Sequence, residues 1–252
     1  ESGVELLLNS MLSAVEEEED GVCATVTVKT GMIQIKAEKL IDTTGDANAV
    51  QQAGYEVQKS EIQQPATLQN SISGYDIENV DMEQLKEAFE KADFPDYLNV
   101  GNLIWYLRQY KLDIHIPCKD ADTSSGRTQV ERDAYALMLK LYSFYRGIRG
   151  LENLRVDFVA EETGVRETNR IVGMYTVTAD EYINGTMYDD AICYSFYPID
   201  LHIMTGIKQI FHKDNIVPKI PYRALIPMGS KHIICAGRCI SSSRGAHSSA
   251  RV

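Results

Sequence analysis

The amino-acid sequence predicts a fold of mixed helix and sheet, α+β with some α/β character, on three observations. Between Val22 and Leu40, apolar residues alternate at period two on either side of Thr30-Gly31, the pattern of a half-buried hairpin. Thr128 to Arg146 reads as a long helix, with Ala134, Leu137, Met138, Leu141, Tyr145 and Ile148 recurring at helical spacing to mark one face. Near the end, Ile233 to Ala236 reads as a buried strand running straight into Gly237-Arg238. Glycine at a strand end lets a ligand approach the backbone, and the next arginine can hold an anionic one.

Residues 4–15 fit two patterns. Val4, Leu7, Leu8, Met11, Leu12 and Val15 make a helical stripe, while Leu6, Leu8 and the later Val22, Ala24, Val26 and Val28 alternate as strands do. The acidic run Glu16 to Asp20 reads as a solvated turn. The hairpin Val22–Lys29 and Met32–Leu40 leads into Leu40-Ile41-Asp42-Thr43-Thr44-Gly45-Asp46, a strand ending in a glycine turn. Ala47 to Ala53 is then a short helix closed by Gly54. Ala66 to Gly74 is a strand. Asp81 with Gln84 forms a capping box for a helix whose apolar face is Met82, Leu85 and Phe89. Residues 113–127 are loop-like, and the long helix follows, ended by Gly147 and Gly150. Further strands are expected at 154–160, 170–178, 191–197 and 232–236, with Ile192, Tyr194 and Phe196 facing a core. A Ser/Gly-rich turn then reaches Val252.

Composition narrows the function. The 252 residues are 44% hydrophobic and 24% charged, enough for one large domain or two smaller ones. A net charge of −11 argues against nucleic acid, whose phosphates need a basic face. No apolar run approaches the ~20 residues of a membrane span, and no signal peptide is visible. The five cysteines are widely spread with no CxxC pair, which predicts reduced core thiols in a cytoplasmic protein, with neither a metal site nor a disulfide framework. The first residue is Glu1, so the chain is read as a processed product or a cut piece.

Two segments stand out chemically. After a buried strand, Thr43-Thr44-Gly45-Asp46 either lets a ligand lie on the backbone with Asp46 accepting from its hydroxyls, or is a turn with Asp46 as an N-cap. Gly164-Val165-Arg166-Glu167-Thr168-Asn169-Arg170 places two arginines within five residues. They bind an anion, or Arg166 or Arg170 pairs with Glu161, Glu162 or Glu167. The dispersed histidines, His115, His202, His212 and His232, read as surface or packed polar residues. No Walker loop, HExxH, GxSxG or GxGxxG occurs.

Three stretches in order, Ile41-Asp42-Thr43-Thr44-Gly45-Asp46-Ala47, Gly164 to Gly173, and Ala236-Gly237-Arg238-Cys239-Ile240-Ser241, resemble the "IDATGD", "GxRETRRIxG" and "AGRxIS" segments of the FAD-dependent oxidoreductases of the glutathione-reductase-like superfamily. With Pro221-Tyr222-Arg223-Ala224-Leu225-Ile226-Pro227 between, the likeness covers nearly the whole chain. Asn169 departs from the usual Arg-Arg pair, and Arg244 stands where relatives often carry a histidine.

The resemblance implies a partial FAD-binding domain with a substrate domain of β-sheet and helices. Residues 1–60 carry the β-meander and TGD turn, 61–220 the substrate domain, and 221–252 return to the FAD-binding domain. It favours strand over helix at 4–15. Thr44, Gly45, Asp46, Gly237 and Arg238 become cofactor contacts, and Arg166, Arg170 and Arg238 catalytic candidates; Cys239 reads as packing. The implied chemistry is hydride transfer between a small-molecule substrate and FAD. Lacking GxGxxG, the element that seats the FAD pyrophosphate, and the helix expected after Val252, the chain reads as an internal fragment, inactive and binding FAD weakly or not at all. The alternative is a non-catalytic binding or structural domain.

Overall fold

The structure is a computed structural model in which residues 3–250 are described. Among them, α-helices alternate with short strands gathered into seven small sheets, a mixed α and β architecture as the sequence predicts. The chain forms two compact units. The first takes the described residues of Glu1–Glu61, Glu167–Leu201 and Gln209–Val252, and the second takes Ile62–Arg166 and His202–Lys208.

In the first unit, Met11–Glu17, Val22–Val28 and Gly31–Ala37 form an antiparallel meander. Val22 pairs with Ala37 and Val28 with Gly31, so the hairpin forms as predicted but turns at Lys29-Thr30, one residue before Thr30-Gly31, and Gly31 opens the second strand. Residues 3–10 carry no regular structure, and the strand expected over 4–15 begins only at Met11. Val4, Leu6, Leu7 and Leu8 are exposed, so no packing face rewards either period. Next to the meander in sequence, Leu40–Asp42 pairs in parallel with Ile233–Cys235, Leu40 opposite Ile233 and Asp42 opposite Cys235. Val15, Val50, Ile171, Val177, Tyr182, Ile199 and Ile233 close the core of this unit.

Several expectations for this unit need correction. Within 170–178 only Arg170–Ile171 is strand. Ile192, Tyr194 and Phe196 do not face a core; all three are exposed, and Cys193 with them. Their strand Ala191–Tyr194 pairs only with Lys219–Pro221, and a two-stranded ladder has no second layer to bury its alternation. Arg244–Ala250 is an α-helix where a Ser/Gly-rich turn was expected. Small side chains serve packing there: a Cβ on Gly245 would lie 2.8 Å from the Ala179 Cβ, and Ser249 Oγ donates to the Pro198 carbonyl at 2.8 Å. Tertiary contact overrides weak helix propensity. Arg251 and Val252 lie outside the described residues.

The acidic run is more than a solvated turn. Glu17 accepts from the Tyr55 hydroxyl at 2.6 Å, the Lys231 and His232 amides at 2.7 Å each and Ser230 Oγ at 2.9 Å. Burial works to raise the Glu17 carboxyl, but these hydrogen bonds from Tyr55, Lys231, Ser230 and His232 hold it below the usual range,.

The second unit packs Met82–Lys91, Val100–Arg108 and Ser124–Arg146 against two short ladders, Ala66–Thr67 with His115–Ile116 and Asn70–Ser73 with Arg155–Val159. The long helix buries Val130, Ala134, Leu137, Met138, Leu141 and Tyr145; Val130 joins the predicted stripe, and Ile148 is buried in the same core but lies just past the helix end. It starts earlier than expected because Thr123 caps it, its hydroxyl accepting from the Gly126 amide,. Asp81 caps Met82–Lys91 through the Gln84 amide at 3.0 Å. The Gln84 side chain instead reaches the Gly147 carbonyl and the Arg149 amide, so only half of the expected capping box forms. The helix Val100–Arg108, capped by Asn99, was not foreseen.

Candidate functional site

Parallel pairing of Leu40–Asp42 with Ile233–Cys235 delivers both glycine turns to the same end of the two strands. Ala236 N extends the ladder to the Asp42 carbonyl at 3.0 Å. Past that point, Arg238 Nε donates to the Gly45 carbonyl at 2.8 Å, and Arg238 Nη2 donates to Asp46 Oδ1 at 2.6 Å. The two side chains are 30% and 24% exposed, so the ion pair has a solvent face. Thr168 Oγ1 also hydrogen-bonds Asp46 Oδ1. Residues 192 apart in sequence, singled out separately, thus share one cluster.

Glycine is required at both turns for different reasons. Gly45 has φ +80°, and a Cβ there would sit 2.8 Å from the Arg238 guanidinium carbon. Gly237 has φ +85° with nothing within 4 Å of the Cβ position, leaving exposed backbone open beside Arg238,.

Asp42, missed at the sequence level, organises the first turn. It is 1% exposed; Oδ1 accepts from the Thr44 amide at 2.9 Å and Thr44 Oγ1 at 2.7 Å, and Oδ2 from the Ala49 and Val50 amides at 2.9 and 3.2 Å. It thereby satisfies the helix start that Asp46 was considered for. Asp46 is left to face Arg238. Thr44 Oγ1 also accepts from the Asn48 amide at 3.0 Å, so its hydroxyl is committed to the turn. The available sign was an aspartate closing an apolar strand just before a Thr-Gly turn.

Cys235 and Cys239 lie fully buried in the same unit. Cys239 Sγ donates to the Ala236 carbonyl at 3.5 Å. A hydrogen bond between the two thiols pushes Cys235 far above its ordinary range and draws Cys239 down. Among the described residues all five cysteines are free thiols, and no group of three or more His, Cys, Asp or Glu has metal-holding geometry.

Arg166 and Arg170 fall to different units. Arg170 Nη1 donates to Glu167 Oε1 at 2.6 Å, and Nη2 to Ser60 Oγ at 3.0 Å. Ser60 Oγ in turn donates to Glu167 at 2.5 Å, and Arg244 Nε lies 3.6 Å from Glu167 Oε2. The Arg170 and Glu167 side chains are 5% and 0% exposed. Burial alone would raise the Glu167 carboxyl; the Ser60 hydroxyl, the His247 charge and Arg170 bring it below the ordinary range,. Of the two alternatives for Arg170, the ion pair is the one formed. Arg166, in the second unit, donates through Nη1 to the Pro65 carbonyl at 2.7 Å and Thr67 Oγ1 at 2.9 Å.

Comparison with known proteins adds three findings. The model of the family "FAD dependent oxidoreductase" matches residues 1–252. No curated protein matches the chain. Among solved structures the chain is similar to the p-nitrophenol 4-monooxygenase PnpA of Pseudomonas putida DLL-E4 (11% identity, 66% of this chain and 38% of that one, TM-score 0.33). It is similar to BexE, studied for oxidation during BE-7585A biosynthesis (11%, 66% and 30%, 0.36), and to the anhydrotetracycline hydroxylase OxyS of Streptomyces rimosus (15%, 69% and 31%, 0.34). Scores in that range do not establish a shared fold. The chain spans 30–38% of the length of these three structures. Among the described residues no helix is long and apolar enough to cross a membrane.

Proposed function

The chain belongs to the FAD dependent oxidoreductase family, with FAD as its cofactor, and we propose that it takes part in hydride transfer between a small-molecule substrate and that flavin. The observation that carries this reading is the joining of Thr44-Gly45-Asp46 to Gly237-Arg238 by the parallel strand pair. The donor set suits FAD. Asp46 is a carboxylate acceptor for hydroxyls of the sugar chain, Arg238 a guanidinium for phosphate or carbonyl oxygens, and Gly237 an open stretch of backbone for a flat ring to approach,. When bound, FAD supplies the two-electron chemistry.

The residues of this chain bind and orient. Arg238 holds negative charge at the flavin or substrate, Asp46 fixes the Arg238 side chain until a ligand replaces it, and Gly45 keeps the gap between them small. The proposed division of labour puts residues 1–60 and 221–252 on the FAD-binding side, together with the stretches of 167–220 that share their core. The rest of 61–220 is the substrate side, where Arg166 holds an anionic group. Arg170, closed in by Glu167 and Ser60, keeps the Arg-Glu-Thr-Asn-Arg segment in place and meets no ligand directly.

The test is spectroscopic. The protein mixed with FAD should develop bound-flavin absorbance near ~450 nm, and Asp46→Asn or Arg238→Met should weaken that binding by roughly tenfold or more, the loss of one charge-assisted hydrogen bond. Equal flavin binding by wild type and both variants would sink the reading.

A further inference from the structure

One ladder of the first unit is left uncovered. Ala191–Tyr194 pairs with Lys219–Pro221, its one partner strand among the described residues, and all four of its residues are exposed. Ile192 and Tyr194 share a face, which Phe196 continues just past the strand. Lys219 stands opposite Tyr194, with its ammonium 5.7 Å from the Tyr194 ring centroid and beside Met187 Sδ. The Tyr194 and Phe196 rings lie 6.5 Å apart. His212 Nε2 is 3.4 Å from the Phe196 carbonyl, which brings the segment of Phe211 alongside. Met187, Tyr194, Phe196 and Phe211 are 74%, 65%, 72% and 69% exposed, and all belong to the first unit.

The strand also has an open backbone edge. Ser195 N donates across the ladder to the Pro218 carbonyl at 2.9 Å. Antiparallel ladders alternate, so Cys193 turns its backbone groups toward the same neighbour, and Tyr194 turns its N–H and C=O outward. The bulge of this ladder falls between Ala191 and Cys193 and leaves Ile192 outside the register,. Proteins normally blunt such an edge with a charge or a proline. The exposed strand Gly31–Ala37 of this unit carries Lys36, paired with Glu18 at 3.2 Å. Ala191–Tyr194 carries neither device.

Size and register point to the occupant. An aromatic side chain spans ~150–250 Å²; at these exposures the four residues with Ile192 offer roughly 600 Å² of apolar surface, close to the ~800 Å² per partner of a standard interface. Uncovered patches of that size mark interaction sites. The strand matches itself when reversed. Pairing about Cys193 sets Ile192 opposite the partner's Tyr194 and Tyr194 opposite the partner's Ile192, an aromatic with a β-branched residue each time. Cys193 then meets its own counterpart at a non-hydrogen-bonded position, where Cα atoms lie ~4.5 Å apart, within the span of a disulfide.

We propose that Ala191–Tyr194 is a docking edge for a second copy of this chain. The two strands pair antiparallel about Cys193, and two ladders become one four-stranded sheet that shares the Tyr194 and Phe196 face between copies. The flavin reading plays no part in this.

Sedimentation equilibrium of the reduced protein over ~1–100 µM should show monomer and dimer in exchange. Tyr194→Lys and Phe196→Glu, two exposed positions chosen so that the result does not hang on one variant's folding, should each weaken the dimer roughly tenfold or more with an unchanged circular dichroism spectrum. Diamide should join Cys193 to the partner's Cys193, two thiols yielding two protons and two electrons to the oxidant as one S–S bond forms. The other four cysteines are buried. Cys193→Ser should abolish the cross-link and keep the dimer. Moving the thiol to the strand end, in Cys193→Ser with Ala191→Cys, should slow cross-linking roughly tenfold, since strand geometry then separates the two sulfurs by several residues. A monomer throughout the range, a dimer indifferent to both charge substitutions, or equal cross-linking from position 191 overturns the proposal.

Discussion

Two arginine–carboxylate pairs in the first unit have the same length and opposite settings. Arg238 meets Asp46 at 2.6 Å and Arg170 meets Glu167 at 2.6 Å. The first pair is 30% and 24% exposed, the second 5% and 0%. In water's reach, the charges of the first pair can exchange each other for a ligand's oxygens or hydroxyls at little cost. The second pair has no such exchange. Removing either partner strands a charge in a dry interior. The two pairs came from motifs that looked equally functional as text, and burial separates them into an openable contact and a fixed one.

The largest expected effect follows from breaking the fixed pair. Glu167→Ala leaves Arg170 uncompensated and should cost about 3–5 kcal/mol of unfolding free energy, the usual penalty for half a buried ion pair. Chemical denaturation measures it, and a loss below about 1 kcal/mol, the size of an exposed pair, would erase the distinction drawn above.

Acid should attack the same pair next. Glu167 and Glu17 are both held below the ordinary carboxylate value in the fold. A depressed folded-state pKa contributes stability above the unfolded value of 4.5 that is lost as pH falls through the folded one. The denaturation midpoint should therefore drop on acidification below that value, with a shallower drop in Glu167→Gln; identical pH profiles for variant and wild type would contradict it.

On the openable side, Gly237→Ala forces a side chain into φ +85° with no steric clash. It should cost about 1 kcal/mol by backbone strain alone, and it should weaken flavin binding by filling the open approach. Thermal melts with and without FAD separate the two effects, and unchanged flavin affinity would show that the approach is not used. Smallest of all, Arg238→Met should change stability by no more than about 1 kcal/mol, as for exposed pairs generally, while its flavin binding falls. A stability loss as large as that of Glu167→Ala would make both pairs structural.

Much of the fold was legible because period and turn chemistry act locally. The hairpin after Val28, the stripe from Ala134 to Tyr145 and the Asp81 cap depend on residues within a few positions of each other. The helix Arg244–Ala250 was not legible, since its Ser and Gly residues are chosen for contact with Ala179 and Pro198 and not for helix propensity. Ile192, Tyr194 and Phe196 misled for the converse reason: alternation reports a strand but not what covers it. At the candidate site, the glycine turns announced themselves. Asp42, Thr168 and Ser60 act through partners distant in sequence, and the His115–His202 contact joins residues 87 apart with no local sign at either end.

The ladder of Leu40–Asp42 with Ile233–Cys235 also bears on how the molecule is made. A ribosome releases Leu40 long before Ile233 exists, while Ile62–Arg166, a continuous stretch with most of the second unit's residues, emerges in between and has its own core. Closing so long a loop is slow, although loop-closure entropy grows only with the logarithm of length. The cluster of Asp46 and Arg238 is therefore a late product of folding, and a nascent or truncated chain can carry a finished second unit before that cluster exists.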